Sequence, residues 1–263
     1  MSTGVACIAE GESSKNANGE LLVALPEPGL SMTQDAEWCV VHIDGKWRHI
    51  RFHDYDELYS VPGLYEKVIY DILRCDSPRV LRDLLETELS TSATPADELR
   101  ALDLGAGNGL VGEELADLGA DFIVGVYIIE DAAEATKRDR PGIYDNYHVV
   151  DLANLNEGQQ REMAGYRFNT LTCVAALGFG DIPAQTFIAA YNLIRSGGWI
   201  VFNIKEDFLT NGDDTGFAGF IRAILDDGTL ELRQRRRYQH RLATDHKPIH
   251  YVAFVGRKRR DIS

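Results

Sequence analysis

The sequence predicts an α/β protein: one open, doubly wound, mostly parallel sheet with helices on both faces. Three observations carry that prediction. From Arg100 onward, β-rich runs alternate with helical stretches, the pattern of strands joined by crossover helices. The stretch "ALDLGAGNGLVGEEL", 101 to 115, passes from an apolar run through three glycines into a helical pattern. The length, 263 residues, suits one core of roughly two hundred residues plus a tail.

The elements follow in order. Residues 1–29 begin with "MSTGVACIAEGESSKNANGE", rich in Ser, Gly and Asn without hydrophobic period, and are expected to form a disordered tail. Residues 30–97 form the next region. There "WCVVHIDGKWRHIRF" reads as a hairpin turning at Asp44-Gly45, a dipeptide suited to a two-residue turn. "HDYDELYSVPGLYEKVIYDIL" has helical spacing in Leu58, Tyr65, Ile69 and Leu73, with Pro62 opening a new turn. A further amphipathic helix starts at Ser77, with Pro78 in its first turn.

Residues 98–263 form the core. Its predicted strands are "RALDLG", "DFIVGVYI", "YHVVDL", "FNTLTCVAAL" and "GGWIVFNIK", then "LELRQRRRYQHR" and "IHYVAFVGRK". Seven strands result.

The glycine loop is shaped for a ligand. Gly105, Gly107 and Gly109 permit positive φ angles and close approach to the main chain, and a helix beginning near Leu110 points its free N–H groups at the same spot. A dinucleotide fingerprint would read G-x-G-x-x-G, but here the third glycine comes one residue early and Leu110 takes its place. Asp103, at the strand end, would also repel a pyrophosphate. A cationic or zwitterionic ligand suits the loop better.

The pattern D-x-G-x-G-x-G, as Asp103, Gly105, Gly107 and Gly109, resembles motif I of the class I S-adenosylmethionine (SAM) dependent methyltransferases. That resemblance covers roughly residues 98–258. It implies a Rossmann-like seven-stranded sheet whose last strand is antiparallel, and SAM as cofactor. It also implies that Asp103 lies by the amino-acid end of SAM while the glycines clear room for it, with Asn108 among the cofactor-binding residues. Asp151, in "VVDL", matches the acid that receives the adenine exocyclic amine, with Leu152 contributing a backbone N–H. Ala175 and Ala176 match the segment whose carbonyl receives the SAM ammonium, and Gly197 and Gly198 match a structural turn into the fifth strand.

One position departs from the family. Its second strand usually ends in Asp or Glu, which binds both ribose hydroxyls; here Tyr127 stands there. A phenol offers one contact where a carboxylate offers two, a difference of about 1.5 to 3 kcal/mol unless Glu130 or Asp131 replaces it.

Methyl transfer from a sulfonium is an in-line displacement, so the site must align nucleophile, methyl and sulfur, with a base where the nucleophile loses a proton. No N-P-P-Y signature is present; the fourth strand ends in "AALGFGDIP". The substrate-side candidates are Phe179, Asp181, Asn203 and Lys205 at strand ends, with His240 and His250 on the last two strands. Tyr55, Tyr59 and Tyr65 recur near helical spacing just before the core. They read either as core packing or, by resemblance, as a helical lid whose aromatic faces close over the sulfonium, with Tyr55 a further catalytic candidate.

Composition limits the partners. A net charge of −14 and a pI near 4.9 disfavour nucleic acid as partner. The basic run 233–241 reads as a solvated edge strand or as the anchor of an acidic substrate. Cys7, Cys39, Cys75 and Cys173 lack metal or disulfide spacing, so no metal site is expected. No apolar stretch is long enough to span a membrane and no signal pattern opens the chain, so a cytoplasmic protein is expected.

Three functions fit these residues. The first is methyl transfer to a small molecule. The second is another SAM reaction on the same fold, in which the SAM amino group attacks its own side chain, giving azetidine-2-carboxylate and methylthioadenosine. The third is SAM binding without catalysis.

Overall fold

A computed structural model of the chain describes residues 21–27, 32–209 and 216–263. The chain divides into two compact units, residues 1–76 with 239–249, and 77–238 with 250–263.

In the smaller unit, β1 (Val23–Ala24), β2 (Trp38–Ile43) and β3 (Lys46–Arg51) form an antiparallel sheet in that order. The hairpin turns at Asp44 and Gly45, whose φ angles of 50° and 76° are those a tight two-residue turn requires. Strand β1 lies inside the stretch expected to be a disordered tail: Val23 and Ala24 pair with Val41 and Val40, so order begins before residue 30. Residues 1–20 of that tail, including Cys7, and residues 28–29 lie outside the described residues. Helix α1 (Tyr55–Ser60) ends before Pro62, and the next stretch, Glu66–Ile72, winds as a π-helix. Cys39, Val41, Ile50, Leu58, Leu64 and Leu73 make this unit's own core.

The larger unit carries α2 (Ser77–Thr91), β4 (Arg100–Leu104), α3 (Leu110–Leu118), β5 (Phe122–Tyr127), α4 (Glu130–Asp139), β6 (Asn146–Val149) and α5 (Glu157–Gly165). After these come β7 (Thr170–Leu177), α6 (Ala184–Leu193), β8 (Trp199–Lys205), α7 (Phe217–Asp226), β9 (Leu230–Leu242) and β10 (Pro248–Lys258), the end of β9 from Gln239 and the start of β10 to Ile249 counting with the smaller unit. Helix α2, which the sequence groups with the N-terminal region, belongs here. Its apolar residues Leu81 and Leu85 line one small space with Val111 and Leu115 of α3 and with Val174 and Val201 of the sheet.

The seven-stranded sheet has the order β6-β5-β4-β7-β8-β10-β9. Strands β4 to β8 pair in parallel, while β10 runs antiparallel to β8, Phe254 opposite Phe202. Those two rings stack 4.9 Å apart inside a core that also holds Leu102, Val124, Leu171 and Phe187. The order reverses between β4 and β7, the switch point where open α/β sheets hold ligands at the carboxyl ends of their strands.

Local chemistry fixes several elements. Gly109, at φ 93°, opens α3, and Asn156 with Gln159 forms a reciprocal capping box on α5. Buried Lys258 donates to the carbonyls of Tyr191 and Ile194, at 2.9 and 2.6 Å, and so satisfies the end of α6.

The basic run forms β9 at the sheet's edge. Arg233 pairs with Glu88 and Arg237 with Glu206, the charged dressing of an exposed edge, while Arg241 turns inward to Glu37 at 2.5 Å. Cys39, Cys75 and Cys173 are buried and form no disulfide with one another. Among the described residues, no helix is long and apolar enough to cross a membrane, and no cluster of three or more His, Cys, Asp or Glu is set to hold a metal.

Candidate cofactor-binding site

Strand β4 delivers Leu104 and then a loop in which Gly105, Gly107 and Gly109 all have positive φ, 76°, 52° and 93°. A Cβ on Gly105 would stand 2.8 Å from the Cβ of Ala176 and 3.0 Å from Cδ1 of Ile182, so glycine is required for both conformation and space. The loop is anchored to β5 through the Gly105 N–H, which donates to Val126 at 2.9 Å.

Beneath it lies a hydrogen-bonded bed. Asp103 is fully buried and receives Tyr144 Oη–H on Oδ2 at 2.6 Å and Thr172 Oγ1–H on Oδ1 at 2.8 Å. Burial pushes its carboxyl up to about 6 against the pull of those two bonds. The carbonyl of Gly107 accepts from Tyr147 Oη and Thr136 Oγ1, at 2.8 and 2.9 Å. Arg140 reaches the carbonyl of Asn108, whose side chain is buried, and also pairs with Glu113.

The Asp103 carboxylate is thus enclosed under the loop and joined to two side-chain hydroxyls.

Beside the loop is a cavity of about 210 Å³ lined by the ends of the parallel strands. Leu104 comes from β4, Val126, Tyr127 and Ile128 from the end of β5, and Val150 and Asp151 from the chain leaving β6. The segment Gly180 to Pro183, with Thr186 of α6, closes the other side. Tyr127 is 8% exposed and forms part of the wall. Asp151 lies past the end of β6, a strand shorter than its sequence suggests. Its carboxylate accepts from the Ala153 N–H, Asn154 Nδ2 and Thr186 Oγ1, capping a single turn that Leu152 opens. Those bonds, that of Asn154 first, hold its pKa below the usual range.

The far wall is irregular. Pairing of β7 with β8 shifts between Cys173 and Leu177, and Ala175, Gly178, Phe179 and Gly180 have φ of 56°, 99°, 52° and 85°. Positive φ at a non-glycine residue is uncommon and costs energy that neighbouring structure must offset. Here the support is Asn203, whose Oδ1 accepts the Ala175 N–H at 2.6 Å while its Nδ2 donates to Tyr238 Oη and Ser77 Oγ. Asn203 is fully buried, which corrects its candidacy as a catalytic group: it holds the bulge. Lys205 pairs with Asp207 at 2.9 Å and lies 5.5 Å from the Phe179 ring.

Of the remaining candidates, His250 lies on β10 in the larger unit, and Tyr55, Tyr59, Tyr65 and His240 belong to the smaller one. Rings of Tyr55 and Tyr59 are 6.2 Å apart, and those of Tyr59 and Tyr65 4.8 Å. Burial pushes the Tyr65 phenol far up, so it stays neutral. His240 is buried, 3.7 Å from the Cys75 sulfur, and burial with the Arg241 charge holds its pKa well below the ordinary value. The imidazole is thus neutral and enclosed in the smaller unit.

Sequence reasoning missed Tyr144, Tyr147, Thr136 and Thr172. The signal available was the pair of tyrosines in "IYDNYHVV", entering the third strand of the core.

No protein-family model matches the chain. In sequence it is 30% identical over 106 residues, 40% of this chain, to the ubiquinone biosynthesis O-methyltransferase of Paraburkholderia phymatum. To the enzyme of that description from Thiobacillus denitrificans it is 28% identical over 104 residues. The match spans about two fifths of those curated relatives, 43% of each. In structure it is similar to the N-methyltransferase NodS from Bradyrhizobium japonicum, solved with S-adenosyl-L-homocysteine (SAH), at a TM-score of 0.52 and 14% identity. That likeness covers 79% of this chain and 97% of the other.

Sequence likeness and sheet order therefore both fall with the class I SAM-dependent methyltransferases, whose Rossmann-like fold, antiparallel last strand included, this chain has. Within that class, the curated relatives named above are O-methyltransferases of ubiquinone biosynthesis.

Proposed function

We propose that the chain is a SAM-dependent methyltransferase acting on a small molecule. The observation that carries this reading is the cavity at the switch point, an apolar slot with a carboxylate at its rim and a glycine loop beside it. The residues present fit the cofactor. Leu104, Ile128, Val150, Ile182 and Pro183 offer apolar walls for a purine, and Asp151 offers an acceptor for its exocyclic amine. Tyr127 stands where a ribose would be received, with one hydroxyl in place of a carboxylate.

The cofactor supplies a sulfonium methyl group open to in-line displacement. The chain's own residues bind and orient. The braced loop from Gly105 to Gly109 presents backbone to the amino-acid end, and the strained segment after Ala175 presents its carbonyls at the neighbouring strand end. Asp181, on the cavity wall, is the remaining carboxylate candidate on the acceptor side.

A small-molecule acceptor is supported by the names of the relatives and by the net charge of −14, which disfavours a phosphate backbone. No described residue favours cyclisation of SAM over methyl transfer. The test is incubation with SAM and a panel of phenols, catechols and amines, followed by chromatography. SAH formed only with an acceptor supports the proposal; methylthioadenosine formed from SAM alone would replace it.

A further inference from the structure

Two glycines stand where glycine is costly. Gly112 lies inside α3, where it is about 1 kcal/mol worse than alanine, and Gly125 lies within β5, where glycine weakens a strand. Neither has a positive φ, so no turn demands them. Space does. A Cβ at Gly112 would stand 2.7 Å from Cε1 and Cζ of Tyr144, and one at Gly125 would stand 3.0 Å from Tyr147 and 3.1 Å from Tyr144. The two positions admit two tyrosine rings, set edge to face with centroids 5.5 Å apart.

Phenylalanine would fill that space equally well, so the hydroxyls need their own reason. Each ends on the glycine loop or on the strand that leads into it. Tyr144 Oη donates to Asp103 at 2.6 Å and lies 3.4 Å from the Ala106 carbonyl; Tyr147 Oη donates to the Gly107 carbonyl at 2.8 Å. Thr136 Oγ1 meets the same carbonyl from α4. The Gly107 carbonyl in the loop is thus tied to two hydroxyls, and Asp103, on the strand that leads into the loop, to the Tyr144 hydroxyl.

We infer that Tyr144 and Tyr147 are positioning residues for the cofactor: through Asp103 and the Gly107 carbonyl, their hydroxyls fix the loop backbone that receives its zwitterionic end. The inference rests on the function proposed above. It assigns the affinity of the loop to residues outside motif I.

It also carries a pH signature. The groups facing Asp103 are Thr172 and Cys173 from β7, Tyr144 from the segment entering β6 and Tyr147 from β6 itself, all neutral at working pH. Both hydroxyl bonds favour the carboxylate form. Removing the Tyr144 hydroxyl raises the Asp103 pKa further, so the loop loses its ionised brace at a higher pH.

The test uses the full chain with Tyr144→Phe, Tyr147→Phe and both together. SAH affinity is measured by calorimetry from pH 5 to 8.5, with the backbone amide of Asn108 followed by NMR in the absence of ligand. Each single change is expected to weaken SAH binding about fivefold at pH 7.5, and the pair by more than twentyfold. Tyr144→Phe should move the pH of half-maximal affinity upward, while Tyr147→Phe should leave it in place and shift the Asn108 amide, which follows the Gly107 carbonyl. If Tyr144→Phe does not fold, Thr172→Val, which removes the other donor to Asp103, carries the same pH expectation.

Affinities within twofold of the wild type, with an unmoved midpoint and an unmoved Asn108 amide, would overturn the inference and leave the tyrosines as space-fillers. A wild type that does not bind SAH defeats the proposed function instead, and the amide shift then decides alone whether the hydroxyls set the loop.

Discussion

The loop after β4 and the segment after the β7 bulge flank one cavity, lined by Leu104 just before the first and by Gly180 to Pro183 of the second, and they are shaped by different means. In the first, three glycines take positive φ without steric penalty, and hydroxyls from neighbouring elements hold the carbonyls. In the second, Ala175 and Phe179 take such angles without being glycine, and a buried asparagine from the next strand sustains the geometry. One loop is permitted by its own sequence; the other is imposed by its surroundings.

The largest expected effect comes from removing that permission. Gly105→Val places a branched side chain at φ 76° against Ala176 and Ile182, and should destabilise the fold by roughly 4 kcal/mol and abolish SAH binding. Urea unfolding and calorimetry check it; a stable variant that binds normally would show that the loop has room to spare.

Removing the imposition should cost somewhat less. Asn203→Ala strands the Ala175 N–H and leaves Ser77 and Tyr238 without their amide partner, a loss of about 3 kcal/mol in stability. Turnover should fall in the folded fraction as the bulge relaxes. Asn203→Asp, which keeps the acceptor for Ala175, should recover part of both.

The smallest effect concerns Tyr127, on the wall between the two loops. If the ribose is received there, Tyr127→Asp restores a two-point acceptor and tightens SAH binding by up to about tenfold, roughly 1.4 kcal/mol. Weaker binding would mean that the phenol itself contacts the ligand. An unchanged affinity would pass the ribose to Glu130, Asp131 or water.

The same contrast explains what was legible in the sequence. Alternating β-rich and helical runs disclosed the seven strands because their signal is periodic and local, and the glycine loop was readable because only glycine tolerates its angles cheaply. The antiparallel last strand came from family resemblance, whereas the order of the strands appears only in the folded sheet. The bracing of the loop was hidden, since Tyr144 lies forty-one positions beyond the Asp103 it bonds. Asn203 reads as a strand-end polar residue until β7 is seen to shift register beside it. Asp103 and Asp151 looked alike as strand-end acids, yet burial raises the first while hydrogen bonds lower the second. Such differences arise from tertiary contacts. They leave no local pattern.

The claim that the strand-end cavity receives SAM is tested most directly by titrating SAH and NAD into the wild type and into Asp151→Ala. The wild type should bind SAH in the micromolar range, about −8 kcal/mol, with NAD much weaker. The folded Asp151→Ala variant should lose about 1.5 to 3 kcal/mol of SAH binding, because the cavity's carboxylate acceptor is gone. A preference for NAD, or an Asp151→Ala variant that binds SAH as tightly as the wild type, would contradict the placement of the cofactor in this cavity.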